Sequence, residues 1–151
     1  MTPEPPAGST FLPPSNLQQM SAFLGTIALR AQTVTSTRVT GDAELGPNHH
    51  TPWGIVHGGV YATAAETAAG VGASMAVAER GQIAVGVTNI TNFLRPMVAG
   101  HVTVTATAIQ QGRSQQLWSV EIIDDAGKLI AVSQVREPSL GYPVVEAVEG
   151  A

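Results

Sequence analysis

One segment of the chain is apolar nearly all round, and segments of alternating polarity follow it. Residues 57–79 are mostly Ala, Gly and Val, which predicts a buried helix that ends before Gly81. The later segments alternate apolar and polar residues with the period of two that is typical of β-strands; they cover 83–94, 102–109, 116–123 and 129–135. Their short, turn-rich connections predict an antiparallel meander of four strands.

The chain before this helix adds further elements. Ser15 is placed to cap a short helix through residues 16–24, which Gly25 would end. Residues 27–45 are rich in β-branched side chains and predict two strands or one long bent strand. Strands, one helix and strands again predict an α+β fold in which a curved antiparallel sheet wraps around a long central helix. The small side chains of the helix let it approach the sheet closely.

Composition limits the class of protein. The 151 residues suit one domain, which we expect at 15–140 between a disordered Pro-rich tail at 1–14 and a C-terminal tail at 141–151. Charged residues make up 12%, far below the roughly 25% of an average soluble domain, so we expect copies of the chain to cover part of its surface. The net charge of -4 argues against a nucleic-acid partner, and the absence of cysteine fits a cytoplasmic location.

Glu66 is the one charged residue between Glu44 and Glu79. A carboxylate in so apolar a helix either lies on a face that reaches solvent or a partner subunit, or it has a function. In an apolar, partly dry groove it would be a better proton acceptor or nucleophile than a solvated acid. The same acid, with the low Leu, Ile and Phe content of residues 55–78, argues against a membrane span.

The helix begins with His57-Gly58-Gly59. Such a junction needs the conformational freedom of glycine, but it could also bind an oxyanion, because the first N–H groups of a helix lack partners and the helix dipole is positive there. The Gly58 N–H could then polarise a carbonyl group. Glu66 follows eight residues later, about 12 Å along the axis, so a second subunit would have to supply one of the two groups.

Two motifs carry a family resemblance: Trp53-Gly-Ile-Val-His57-Gly-Gly-Val-Tyr61 followed by Glu66, and Asn92-Phe-Leu-Arg95-Pro. They resemble the hotdog-fold acyl-CoA thioesterases, in the PaaI-like and Arthrobacter-type 4-hydroxybenzoyl-CoA thioesterase branch, and their relatives that hydrolyse 1,4-dihydroxy-2-naphthoyl-CoA. The resemblance covers about residues 24–137. It implies five or six antiparallel strands around one helix, homodimers with active sites at the interface, commonly paired into homotetramers, and no cofactor beyond the CoA of the substrate.

The resemblance also implies residue roles. Glu66 would be the nucleophile or general base, and the Gly58 N–H would polarise the thioester carbonyl across the dimer interface. His57 would orient its surroundings or serve as a hydrogen-bonded structural residue. The implied substrate- and CoA-binding residues are Gly59, Asn92, Arg95, Arg113 and Ser114. Arginines suit the CoA phosphates, and the chain has only seven Lys and Arg residues in all.

Two positions depart from the family pattern. Gly70 stands one turn after the acid, where a Thr or Ser is common, and Thr51 stands where the 4-hydroxybenzoyl enzymes have a Gln. The acyl group therefore stays open, and an aromatic acyl group is preferred by resemblance only.

Other interpretations of the same residues stay open. An enoyl hydratase or dehydratase could pair His57 with Glu66, although the PVMPG-like run of the acyl carrier protein dehydratases is missing. A non-catalytic acyl-CoA-binding protein is the third possibility. We expect no metal at His49, His50 and His57, because the loop that carries them has no nearby acid.

Overall fold

A seven-stranded antiparallel sheet curves around one long helix in the computed structural model of the protein, which describes Gln18 and residues 21–141. The helices are α1 (Ala22–Thr26) and α2 (Gly58–Val77). The strands are β1 (Arg30–Val34), β2 (Arg38–Leu45), β3 (Gln82–Ala84), β4 (Thr88–Phe93), β5 (Gly100–Gln111), β6 (Gln115–Asp124) and β7 (Leu129–Gly141). Single 3₁₀ turns at Pro47–His49 and Ala78–Arg80 flank α2.

The elements follow the predicted order. The β-branched segment forms two strands, and α2 with its 3₁₀ turn ends at Gly81, whose φ of 66° is left-handed. Helix α1 is capped by Ser21 and ends one residue beyond Gly25, whereas Ser15 and both predicted tails, except Gly141 in β7, lie outside the described residues. None of the helices between residues 21 and 141 combines the length and apolar character that crossing a membrane requires.

The predicted four-strand meander is right for β5, β6 and β7 and wrong for β4. Strand β4 pairs with β7, while β5 pairs with β2. The connection from β4 to β5 therefore runs past the start of α2 instead of forming a hairpin. The Met97 carbonyl accepts the Val56 N–H at 2.8 Å, and the Val98 carbonyl bonds to His50 Nε2 at 2.6 Å. Its hydrogen-bond partners thus come from the loop before the helix, which sequence periodicity does not reveal.

The predicted strand at 83–94 is interrupted by a β-bulge. Strands β3 and β4 both pair with the same side of β7, so they share one strand position, the edge strand β3–β4. The sheet is therefore six strand positions wide. Ala84 lies opposite Ser139 and Thr88 opposite Arg136, so the edge strand β3–β4 has one residue more than β7 over the same interval. The Val85 and Val87 N–H groups still bond to carbonyl groups of β7, at 3.0 Å each, which places Gly86 beside Glu137.

Helix α2 is covered by the sheet on one side only. Its buried residues are Tyr61, Ala64, Ala65, Ala68, Ala69, Gly72, Ala73 and Val77. They pack on inward-facing side chains of the sheet that include Val104, Trp118, Val120, Ile122 and Val135. Thr63, Glu66 and Gly70 lie outside this buried face and are exposed or half-buried. The predicted fold, a curved antiparallel sheet wrapped around one long helix, is confirmed.

Gly72 marks the closest approach of α2 to the sheet, and it generates a stability prediction. A Cβ at Gly72 would lie 2.4 Å from Trp118, whereas a Cβ at Gly70 would meet nothing closer than 3.6 Å. We expect Gly72→Ala to lower the free energy of unfolding by about 1–3 kcal/mol through overpacking. Gly70→Ala, the matched control, should leave it unchanged or raise it by up to about 1 kcal/mol. Urea unfolding measures both; equal destabilisation would contradict this packing.

Three strands are tied together at one side of the sheet by His101 of β5. Its Nε2 lies 2.7 Å from Asp42 of β2, and its Nδ1 lies 2.7 Å from Asp125. Arg30 of β1 reaches the same Asp42 oxygen at 2.6 Å. Hydrogen bonds to Asp125 and Asp42 raise the pKa of His101. Burial of Asp42 opposes its ionisation, but hydrogen bonds from His101 and Arg30 outweigh burial and lower the pKa of Asp42.

This cluster makes the stability depend on pH. Because the pKa of His101 is raised in the folded state, its contribution is complete below the ordinary value of 6.5 and is lost as the pH rises through the folded value. We expect the difference in Tm between the wild type and His101→Gln to be larger near pH 6 than near pH 9. Asp125→Asn should weaken this pH dependence. A difference that grows with pH would contradict the assignment.

Candidate active site

His57 forms the N-cap of α2. Its backbone is extended, and its Nδ1 accepts the Gly59 N–H at 2.8 Å. Its own N–H donates to the His49 carbonyl at 2.8 Å. The imidazole thus satisfies one of the N–H groups that a helix start leaves without a partner, as a Ser or Asp side chain does elsewhere. In the neutral ring this bond leaves the proton on Nε2.

Gly58 follows directly, and its N–H donates to none of the described residues. The residue is half-buried under Phe93 of β4: a Cβ at Gly58 would lie 2.8 Å from that ring. Phe93 also packs against Tyr61, with ring centroids 6.3 Å apart. Glycine is therefore required here by the close approach of Phe93, and the φ of Gly58 is not left-handed. An unpaired N–H at the positive end of α2 is available to a ligand oxygen.

A pocket of about 360 Å³ opens beside this helix start. It is lined by Phe23, Thr26, Ile27, Asn48, His49, His50, His57, Gly59, Val60 and Thr63. His49 Nδ1 accepts the Gly46 N–H at 3.1 Å and its Nε2 bonds to the Thr26 carbonyl at 2.9 Å, so this ring holds the loop to α1. Within the part of the chain that the structure describes, no three His, Cys, Asp or Glu side chains are grouped to hold a metal ion.

Glu66 leaves α2 at the border of its buried face, beside the bulge of the sheet, and is exposed in the single chain. Its Oε1 lies 2.7 Å from the position that a Cβ on Gly86 would occupy, so a side chain at residue 86 would displace the carboxylate from this place. The spacing of about 12 Å along the helix keeps Glu66 apart from Gly58 in one protomer.

Glu137 of β7 is a candidate that sequence reasoning missed. It is 0% exposed, and neither carboxylate oxygen has a hydrogen-bond partner among the described residues. These oxygens lie 3.6 and 3.9 Å from the Cβ position of Gly70, one turn after Glu66. Burial, and next the charge of Glu66, raise the pKa of Glu137 to about 7.

A signal for Glu137 was present in the sequence. The inward residues of the last predicted strand end at Val135, and one more step of two places Glu137 on the same inward face. The predicted strand ends at 135, whereas β7 continues to Gly141. An acid on the inward face of a strand is rare enough to have marked the position.

Arg95 and Arg113 lie toward opposite ends of β7 in one protomer. The Arg95 N–H donates to the Ile130 carbonyl at 3.3 Å, near the start of β7. The Ser114 carbonyl accepts the Ser139 N–H at 3.0 Å, near the end of β7. The stretch from Ile130 to Ser139 spans roughly 30 Å of extended chain. All three predicted CoA-binding residues of these turns are exposed, but one protomer does not bring them together.

Asn92 lies on the outer face of β4. It lines a surface pocket of about 250 Å³ with Ile90, Ser119, Val132, Ser133 and Gln134. The helix side of β4 instead carries Asn89, whose Nδ2 donates to the Ala62 carbonyl at 2.9 Å, and Thr91, whose hydroxyl donates to Asn89 at 2.7 Å. Within one protomer, Asn92 is thus separated by the sheet from the side on which Glu66 lies.

Comparison with known proteins agrees with this architecture. The family model of the thioesterase superfamily matches residues 54–131. The 1,4-dihydroxy-2-naphthoyl-CoA hydrolase of Listeria monocytogenes is 36% identical over 109 residues, which are 72% of this chain and 88% of that enzyme. The crystal structure of a thioesterase from Haemophilus influenzae has a TM-score of 0.77 at 28% identity, covering 87% of this chain and 93% of its own. The PaaI protein of E. coli shares the fold, with a TM-score of 0.73 at 20% identity, covering 83% of this chain and 88% of its own.

Proposed function

Because the chain belongs to the thioesterase superfamily and is a thioester hydrolase, we propose that it hydrolyses an aromatic acyl-CoA to the free acid and CoA. The Listeria relative named for 1,4-dihydroxy-2-naphthoyl-CoA supports both CoA as the carrier and an aromatic acyl group. Water is the second substrate, so the reaction needs no cofactor besides the CoA that the substrate itself carries.

The observation that carries the proposal is the position of Glu66. This acid stands in the middle of α2, exposed to solvent in the single chain and next to the bulge at Gly86. As general base, Glu66 takes a proton from the water whose oxygen attacks the thioester carbon; the C–S bond breaks, and the proton passes to the sulfur. As nucleophile, its carboxylate attacks the thioester carbon, the C–S bond breaks and the thiolate leaves and takes a proton from solvent; water then hydrolyses the mixed anhydride, which releases the acid and restores Glu66. Both routes give a carboxylic acid and a thiol.

The Gly58 N–H is the group that we assign to the carbonyl oxygen of the thioester. It has no acceptor among the described residues, and it lies at the positive end of the helix, where negative charge on the oxygen is stabilised. Since Glu66 of the same chain lies about 12 Å farther along α2, we assign the two groups of one site to different protomers.

An unpaired sheet edge supports such a dimer. Within the described residues, strand β4 pairs with β7 and has no strand on its other side. Val87, Ile90 and Phe93 of this edge strand are 60%, 65% and 55% exposed. A free edge with exposed apolar side chains is a surface that a second copy can cover. Pairing of dimers into homotetramers and the cytoplasmic location stay predictions.

A dimer of this kind also accounts for the separated arginines. Arg95 lies at the Gly58 end of the protomer, and Arg113 with Ser114 lies near the end of β7 that carries Glu137. If Gly58 of one chain meets Glu66 of the other, Arg95 and Arg113 of different chains approach the same site. We therefore keep both as contacts of the CoA phosphates and Gly59 as part of the helix-start site, and Asn92 stays an untested prediction.

Glu66→Gln tests the assignment of the acid. The amide keeps the size of the side chain but neither accepts the proton nor attacks, so we expect kcat to fall about 100- to 10,000-fold. Glu79→Gln removes the same charge from the turn after α2 and should leave turnover unchanged. Thiol release from aryl-, short- and long-chain acyl-CoAs measures activity and acyl preference.

Three outcomes of these assays would reject the assignment. Full activity of Glu66→Gln would exclude Glu66 as base and as nucleophile. Water addition to an enoyl-CoA, without thiol release from any ester, would favour the hydratase alternative. Tight binding of CoA esters without turnover in the wild type would favour a non-catalytic binding protein.

Gly58→Pro tests the role of the backbone N–H. Proline is tolerated at the first helical position, and the extended backbone of His57 suits a residue before proline. Phe93→Ala supplies the room that the ring needs and serves alone as the control. We expect Gly58→Pro in this background to lower kcat about 100- to 1,000-fold relative to Phe93→Ala.

Mixed dimers then test whether the site is shared. In a dimer of one Glu66→Gln chain and one Gly58→Pro/Phe93→Ala chain, one of the two sites combines the native Glu66 with the native Gly58. Activity should therefore reappear when the two inactive proteins are unfolded and refolded together. Continued inactivity of verified mixed dimers would place both groups of a site in the same protomer.

A further inference from the structure

Two carboxyl groups share a small space between α2 and the bulge of the sheet. Glu66 and Gly70 are one turn apart on the same face of the helix, and Gly86 and Glu137 lie side by side in the sheet. The Glu66 carboxylate lies against Gly86, and the Glu137 carboxylate lies against Gly70, at the distances given above. Each carboxyl group thus occupies room that a glycine of the other element leaves.

Glu137 is the buried member of the two. Gln116 faces it from β6, but its amide nitrogen donates to the Ala73 carbonyl at 2.9 Å and its oxygen accepts from Trp118 at 2.9 Å. No described residue therefore donates to the Glu137 carboxylate. An ionised carboxylate without a partner is strongly disfavoured in such a place, which agrees with the raised pKa of about 7.

The charges around Glu137 leave Glu66 as its counterpart. The packed elements present Gln116 from β6, Gly86 from the bulge, and Gly70 and Glu66 from α2. Arg136, the neighbour on β7 itself, points to the opposite face of the sheet because side chains alternate along a strand. Among the described residues, no cation compensates a second negative charge here.

We propose that Glu137 is a positioning residue of the active site, and that it holds a proton so that Glu66 alone carries the negative charge of the pair. The inference rests on the proposed function of Glu66. An ionised Glu137 would put two like charges into one poorly solvated space, and only the exposed Glu66 can turn away into water. The proton on Glu137 thus keeps the Glu66 carboxylate in place; no bond of the substrate forms or breaks at Glu137.

The pairing can be tested without substrate. The pKa of Glu137 is higher in the folded chain than its ordinary 4.5, so the folded state binds this proton more tightly and its stability falls as the pH rises from 4.5 to about 7. Urea unfolding over this pH range should show the fall in the free energy of unfolding for the wild type but not for Glu137→Gln. In Glu66→Gln the fall should occur at lower pH, because the neighbouring charge that helps to raise the pKa of Glu137 is gone. Glu79→Gln should retain the wild-type fall.

Hydrolysis supplies the second readout. In the wild type, kcat/KM should fall above about pH 7, by about tenfold per pH unit, as Glu137 loses its proton. Glu137→Gln is uncharged and similar in shape, so it should remain active near pH 6 and lose this falling limb. Glu79→Gln again serves as the control and should keep the falling limb.

The outcomes separate this inference from the function on which it rests. An unchanged pH dependence of unfolding in Glu66→Gln, or a falling limb that persists in Glu137→Gln, would overturn the pairing. The Glu66→Gln arm keeps the test decisive if Glu137→Gln does not fold. If the unfolding data show the pairing while no acyl-CoA is hydrolysed, the pairing stands and the proposed function fails.

Discussion

The close contact of α2 with the sheet is the constraint on which the rest of the structure depends. At Gly72 the backbone of the helix lies so near the Trp118 ring that not even a methyl group fits between them. Gln116, the next inward-facing residue of β6, holds α2 at the same distance from the sheet, because its amide nitrogen donates to the Ala73 carbonyl. A helix of ordinary leucines would stand farther from the sheet, since interaxial and interlayer distances grow with side-chain size. The richness of the chain in Ala and Gly thus follows from this geometry.

The same closeness gives the carboxyl groups their environment. Because α2 lies so close to the sheet, the side chain of Glu137 ends against the helix at Gly70 and not in solvent. At Gly70, where the family resemblance implied a Thr or Ser, an acid from the sheet occupies the adjoining space. Glu66 lies on the other border of this space and keeps contact with water. One acid is thus enclosed and the other accessible, which is the difference in surroundings that separates the proton affinities of two like groups.

Sequence periodicity predicted which residues form elements and which face they use, but not which strands are neighbours. The Ala-rich helix and the alternating segments lie where expected, and the motif around His57, Gly58 and Glu66 led to the family and fold that the comparisons confirm. The position of β4 beyond β7 depends on hydrogen bonds between residues some forty positions apart, such as those of Met97 and Val98, which no local pattern encodes. Glu137 was missed because the predicted strand ends at 135, whereas β7 continues to Gly141.

The extra residue of the bulge has a consequence for every side chain after it. Ala84 faces the helix, and so does Gly86, whose Cβ position meets the Glu66 side chain; an unbroken alternation would also turn Ile90 and Asn92 inward. The inserted position reverses this phase, and Asn89 and Phe93 point to α2 in their place. Deleting one residue between Ala84 and Thr88 would exchange the two faces of β4. The Phe93 ring would then leave Gly58, and the Asn92 amide would be buried in its place. The length of the segment is thereby under tighter constraint than the identity of most of its residues.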